Sequence, residues 1–272
     1  MNAILFSAIW GVIMMFAGAF APNKPLPRYL ALVGAVLLFA VNALELNSGQ
    51  ALVNLDTHEM LRTNSFSLSF LAIVFGCTLV YFLLNGSEIE KVGSDVGEYY
   101  ALIFFVLCGV SLSATFNTLL ILFIGIEIMS IPLYILTGSD KRNLKSTEAG
   151  LKYFLMGSFS TGILLMGIAC IYGGNEAGSF YIGNIGFGTG NLPVLIAIGL
   201  VMLLVAMSFK VSAAPFHFWT PDVYDGAPTV FTSFMSTIVK AAGFFAFLRL
   251  FENVFGVAHP QWQRLIAILI VA

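Results

Sequence analysis

Charge is what this sequence has least of. Of its 272 residues only 10% are Asp, Glu, Lys or Arg, where a soluble domain carries about 25%. With 59% hydrophobic residues and a mean hydropathy of +0.94, water is not the chain's main solvent. A basic surplus is missing too. The formal net charge is −2, which excludes a surface built for nucleic acid. Cysteine is scarce. Cys77, Cys108 and Cys170 form no CxxC pair and no metal-ligand spacing, and each sits in an apolar stretch as a small hydrophobe. No basic segment precedes the first apolar run, so that run reads as a retained helix rather than a cleaved signal. Two-residue alternation is also absent, which argues against a membrane barrel.

What is present is a series of long apolar runs, with 26 Phe and 26 Gly, as in bundles of membrane helices. A spanning helix needs about 20 mainly apolar residues. Runs near 2–21, 29–46, 65–84, 99–116, 118–137, 150–172, 192–212 and 227–250 meet that need, and a ninth begins near Trp262. The expected fold is all-α: a polytopic transmembrane helix bundle of about eight complete spans plus the start of a ninth. From Gln261 to Ala272 a helix rises only about 18 Å, too short to cross, so the sequence is expected to be the N-terminal part of a longer protein.

Lys and Arg in short loops set orientation. Lys24 and Arg28 follow span one; Lys141, Arg142 and Lys145 follow span five. Both loops are expected in the cytoplasm, with the N-terminus outside. The loop after span six has no Lys or Arg, as an outside loop should. Its Gly183, Gly186, Gly188 and Gly190 match no P-loop or dinucleotide fingerprint and follow no strand.

Ionisable residues inside spans are expensive, about 2.5–3.5 kcal/mol at mid-helix on insertion scales, and need a partner, water or a function. Glu127 is the only charged residue between Glu98 and Asp140 and stands near the middle of span five. It reads as an ion or proton site, or as a protonated, hydrogen-bonded group inside the bundle. Pro132, five residues on, frees a carbonyl one turn away. Lys240 is equally isolated in span eight, with Ser233, Ser236 and Thr237 seven, four and three residues before it; that face can line a hydrated cavity. Lys210 ends span seven and reads either as a snorkelling lysine or as part of a broken helix. The stretch "VSAAPFHFW" after it stays apolar and contains Pro215, which favours a discontinuous seventh helix beside a hydrated cavity. His217 is a candidate proton relay or a structural hydrogen-bonder. Lys152, near the start of span six, reads as a terminal lysine. Asp222 and Asp225 read as turn caps beside Pro221 and Gly226.

The segments "GIEIMSIPLYIL", "LKYFLMGSFSTGILLMG" and "FKVSAAPFHFWTPDVYDGAPTVFTSFMSTIVKAAGF" resemble the N-subunit family of bacterial NADH–quinone oxidoreductase (respiratory complex I), one of that complex's antiporter-like membrane subunits. The resemblance is strong over 97–256 and looser over the first three spans. It implies a fourteen-helix fold of two inverted five-helix repeats. Residues 1–96 would hold helices one to three, 97–256 the first repeat with a cytoplasm-facing half-channel, and 257–272 the start of helix nine. It further implies that Glu127 and Lys210 form an ion pair, that Lys240 passes protons along the bundle axis, and that Lys152 matches a functional lysine on span six. The function implied is proton translocation in the bacterial inner membrane, coupled to quinone reduction in other subunits, with a multisubunit cation/proton antiporter as the alternative. NADH, flavin, iron–sulfur clusters and quinone would belong to those partner subunits. This chain has no flavin or iron–sulfur motif, and only His217 is placed to serve as an intramembrane histidine. Neighbouring antiporter-like subunits and the lipid bilayer are the expected partners.

Overall fold

A computed structural model describes all residues except 21–24, 50–52, 54, 55, 57, 176, 186–192, 256–258 and 272. Lys24, Gly186, Gly188, Gly190 and Ala272, which figured in the expectations above, lie outside the described residues.

The chain forms α1 (Asn2–Phe20), α2 (Pro25–Ser48), α3 (Ser65–Val92), α4 (Val96–Thr115), α5 (Leu119–Thr137), α6 (Leu144–Gly174), α7 (Val194–Val211), α8 (Thr220–Gly226), α9 (Thr229–Phe234), α10 (Lys240–Leu248) and α11 (His259–Val271). Helix α9 runs into α10 through a π-helical turn, Met235–Val239, and a second π turn, Arg249–Val254, follows α10. No strand occurs among the described residues, so the all-α bundle expected from the apolar runs is what forms. Among the described residues eight helices are long and apolar enough to cross a membrane, the last being the continuous run Thr229–Glu252. Their order follows the sequence expectation, and α2, α3 and α6 run longer than the apolar runs. α3 continues to Val92 and α6 starts at Leu144, because the polar residues at these ends extend a helix beyond the hydrocarbon zone instead of stopping it.

Helix α4 is the hub. It is buried over 83% of its span, while α1 is buried over only 22%. It packs on α1 and α5, and α6 packs on α7. These contacts fall on glycine pairs: Gly18 against Gly97, Gly109 against Gly125, Gly167 against Gly199. Apolar helices gain little from leaving lipid, so close backbone approach at small residues supplies the contact energy.

The bundle has two distinct ends. At one, the segment of Lys141 and Arg142 joins α5 to α6. At the other, the turn around Asn117 joins α4 to α5 and touches residues 60–62 and 180–182 through backbone hydrogen bonds. The seventh crossing is broken: α7 stops at Val211, Ser212 takes a left-handed conformation (φ 59°), and α8 completes the crossing after residues 213–219. The interruption expected at Pro215 is therefore present.

Candidate functional site

The broken crossing organises the site. The last carbonyls of a helix have no partner inside it. At the end of α7, the Phe209 carbonyl accepts from the Ser212 backbone N–H at 3.1 Å and from the Trp219 indole N–H at 3.2 Å. The Lys210 carbonyl accepts from the Lys240 ammonium at 3.4 Å. Lys240 also donates to the Ser212 hydroxyl, which receives a second hydrogen bond, 2.7 Å, from Thr220 at the start of α8. A cation thus sits against the negative end of a helix dipole, inside the break. Its ammonium faces two rings, 4.8 Å from the Trp219 centroid and 6.0 Å from that of Tyr224.

The π turn directly before Lys240 explains its aim. A π turn closes an i→i+5 ring and so holds one more residue than an α turn, rotating the side chains that follow. Ser236 and Thr237 are exposed, with their hydroxyls bonded back to Ser233 O, while the half-buried Lys240 turns to the α7 break.

Lys210, one residue before the end of α7, reaches α5. Its ammonium donates to Ser130 Oγ at 2.9 Å. The direct Glu127–Lys210 ion pair implied by the resemblance is absent among the described residues. Ser130 lies three residues after Glu127 on the same face of α5, and the lysine meets that face one turn further along. Glu127 is half-buried and makes no hydrogen bond or ion pair among the described residues. Ser130, Lys210, Ser212 and Lys240 therefore connect α5 through the end of α7 to α10 by way of two hydroxyls and the Lys210 carbonyl, with Glu127 one turn from Ser130 and not bonded to it.

Lys152 does not join this line. It pairs with Asp222 of α8 at 2.7 Å and with Glu148 at 2.8 Å, and Lys145 pairs with Asp225 at 3.1 Å. The reading of Asp222 and Asp225 as turn caps is corrected here: both reach across to α6. The spacing carried the signal. Lys145, Glu148 and Lys152 share one face of α6, Asp222 and Asp225 share one face of α8, and the two ladders are complementary. Gly226 lets them meet, because a Cβ there would strike Lys145 O and the Ala149 side chain. His217 stands exposed in the break with no side-chain hydrogen bond among the described residues, and the structure does not bring it to Glu127, Lys210 or Lys240.

Sequence reasoning missed Arg249. At 5% exposure it lies at the opposite end from the basic loop and donates to Ser67 Oγ (2.5 Å), Ala114 O (2.8 Å), Phe116 O (2.9 Å) and Arg62 O (3.2 Å). It ties the start of α3 and the end of α4 to the end of α10. Its position at a span end hid it, since a terminal arginine normally snorkels. No group of three or more potential metal ligands occurs among the described residues.

Comparison with known proteins follows this geometry. Residues 116–272 match the family described as NADH:quinone oxidoreductase/Mrp antiporter, TM. A curated relative, NADH-quinone oxidoreductase subunit N of Cytophaga hutchinsonii, is 42% identical over 256 residues, which cover 94% of this chain and 54% of that protein. Among solved structures, a chain of respiratory complex I from Thermus thermophilus with bound aureothin superimposes with a TM-score of 0.74 at 32% identity, covering 91% of this chain and 52% of that one. A chain of the Mrp complex from Dietzia sp. DQ12-45-1b gives a TM-score of 0.76 at 19% identity, over 92% of this chain and 48% of that one, a likeness of fold alone. The chain spans about half the length of the curated relatives it matches. The N-subunit resemblance read from the motifs agrees with these relatives.

Proposed function

The chain belongs to the NADH:quinone oxidoreductase/Mrp antiporter transmembrane family, and from that premise we propose that it carries protons across part of a membrane as a subunit of an NADH–quinone oxidoreductase. The chain itself does no redox chemistry. The observation that carries the reading is the set of contacts that joins Ser130, Lys210, Ser212 and Lys240 along a broken helix, with Glu127 one turn away on α5. The two lysines contact neutral oxygens and, among the described residues, pair with no carboxylate, so neither ammonium is locked by a fixed counter-charge. Once Lys240 has given up its own proton, its neutral amine, held in the break at the end of α7, takes the proton that the Lys210 ammonium releases. Glu127, one turn from Ser130, alternately attracts and releases the Lys210 charge when the side chains shift by a turn. Residues 97–256 form the unit that does this. The end carrying Lys141 and Arg142 faces the bacterial cytoplasm, and the salt-bridged α6–α8 face forms the mouth. The electron-carrying cofactors and the quinone belong to partner subunits.

The test is proton uptake by inverted membrane vesicles driven by NADH oxidation, with the whole protein assembled in its complex. Lys240→Ala and Glu127→Gln should each lower uptake on the order of a hundredfold for the steps they serve, with assembly unchanged. Uptake at the unaltered rate in Lys240→Ala would end this reading. The second reading, a subunit of a multisubunit cation/proton antiporter, rests on the shared fold. It predicts sodium-dependent proton exchange without NADH.

A further inference from the structure

We propose that Trp219 is a positioning residue for Lys240: its indole face holds the ammonium in the break of the seventh crossing, ready to exchange its proton. The inference rests on the relay reading above and adds a residue to it. Trp219 begins the run into α8 and is only 3% exposed. Three contacts fix its ring. The indole N–H donates to Phe209 O at 3.2 Å. Tyr153 of α6 stacks on it at 4.7 Å and 7°, and Phe209 lies at 5.3 Å and 26°. These contacts hold the ring, and it presents a face to Lys240 at 4.8 Å.

That face solves an electrostatic problem. Lys240 touches the carbonyl of Lys210, a residue that carries a second ammonium. Among the described residues no carboxylate pairs with Lys240. Its other neighbours are the hydroxyl of Ser212 and the ring of Tyr224. Two like charges in a medium of low dielectric repel strongly. An acidic partner would cancel that repulsion but would also hold the cation in place, as Glu148 and Asp222 hold Lys152. An aromatic face attracts the ammonium through its quadrupole and cannot accept the proton. Trp219 thus holds the cation in position while leaving its proton free to move on.

Packing alone also accounts for a buried tryptophan, so the test must change the ring's electron density and leave its shape. Fluorinated tryptophans with one to four ring fluorines, placed at position 219 by nonsense suppression, do this in the assembled complex. Proton uptake by vesicles is measured for the series, with Lys240→Met as control. The expected result is a steady fall in rate with each added fluorine, roughly tenfold from the unmodified to the tetrafluoro ring, at unchanged assembly. A flat series, with Lys240→Met inactive, overturns the positioning role and leaves the relay standing. Uptake at the unaltered rate in Lys240→Met overturns the relay and this inference with it.

Discussion

Arg249 and Lys240 stand nine residues apart on one crossing, and the structure treats them in opposite ways. Arg249 is 5% exposed, with four hydrogen bonds of 2.5–3.2 Å to carbonyls and a hydroxyl from two helices and their loops. Lys240 is half-buried, with one carbonyl, one hydroxyl and two ring faces. A guanidinium never gives up its proton in a protein, and its planar fork suits several fixed acceptors at once. An ammonium on a flexible stem with few partners can move and be deprotonated. The first arrangement fastens helices. The second is fit for transport. A charge inside a membrane bundle is therefore read from the number and type of its partners, not from its depth alone.

The contrast breaks most severely at Arg249. Arg249→Met leaves the Ala114 and Phe116 carbonyls without their donor and should cost about 3 kcal/mol, seen as a lower melting temperature of the purified complex. Arg249→Lys cannot reach every acceptor and should fall between. If Arg249→Met melts like the unaltered protein, the fastening role is wrong.

A smaller effect is expected where α8 docks. Gly226→Val places carbon against Lys145 O and Ala149, an overpacking of about 1–3 kcal/mol. It should push α8 off α6 and separate Asp222 and Asp225 from their lysines. Cysteine cross-linking between α6 and α8 would report this as a reduced yield; an unchanged yield would contradict the close approach.

Smaller again is the effect of the ion pairs. Lys152→Glu gathers three carboxylates and should slow proton uptake. Adding Asp222→Lys should restore part of the rate, because Glu148 remains. No recovery would mean that the Lys152–Asp222 pair does not hold the mouth. The Lys145–Asp225 pair, 69% and 73% exposed, is the least of these, within about 1 kcal/mol. Lys145→Gln should leave the melting temperature nearly unmoved, and a large drop would show a role the surface geometry does not explain.

Much of the fold was legible because apolar runs of spanning length leave few alternatives. The break after Lys210 was legible because "VSAAPFHFW" stays apolar past a proline. Glu127, Lys210 and Lys240 stood out because a charge is rare at that depth. What stayed hidden depends on rotation and distance. The π turn at Met235–Val239 carries no sequence signature, so the turn of Lys240 towards the end of α7 was not foreseen. Ser130 as the partner of Lys210 was missed because the ion-pair expectation left no room for a hydroxyl one turn along. Arg249 passed as a snorkelling end, since its carbonyl partners come from segments more than a hundred residues away.

The central claim is that position 240 needs a cation able to lose its proton. Lys240→Arg keeps the charge, the helix-end contact and the attraction to Trp219, and removes only deprotonation. NADH-driven proton uptake per assembled complex in inverted vesicles measures the difference. Uptake in Lys240→Arg should fall to the level of Lys240→Ala. A rate equal to that of the unaltered protein would show that Lys240 acts as a fixed charge and carries no proton.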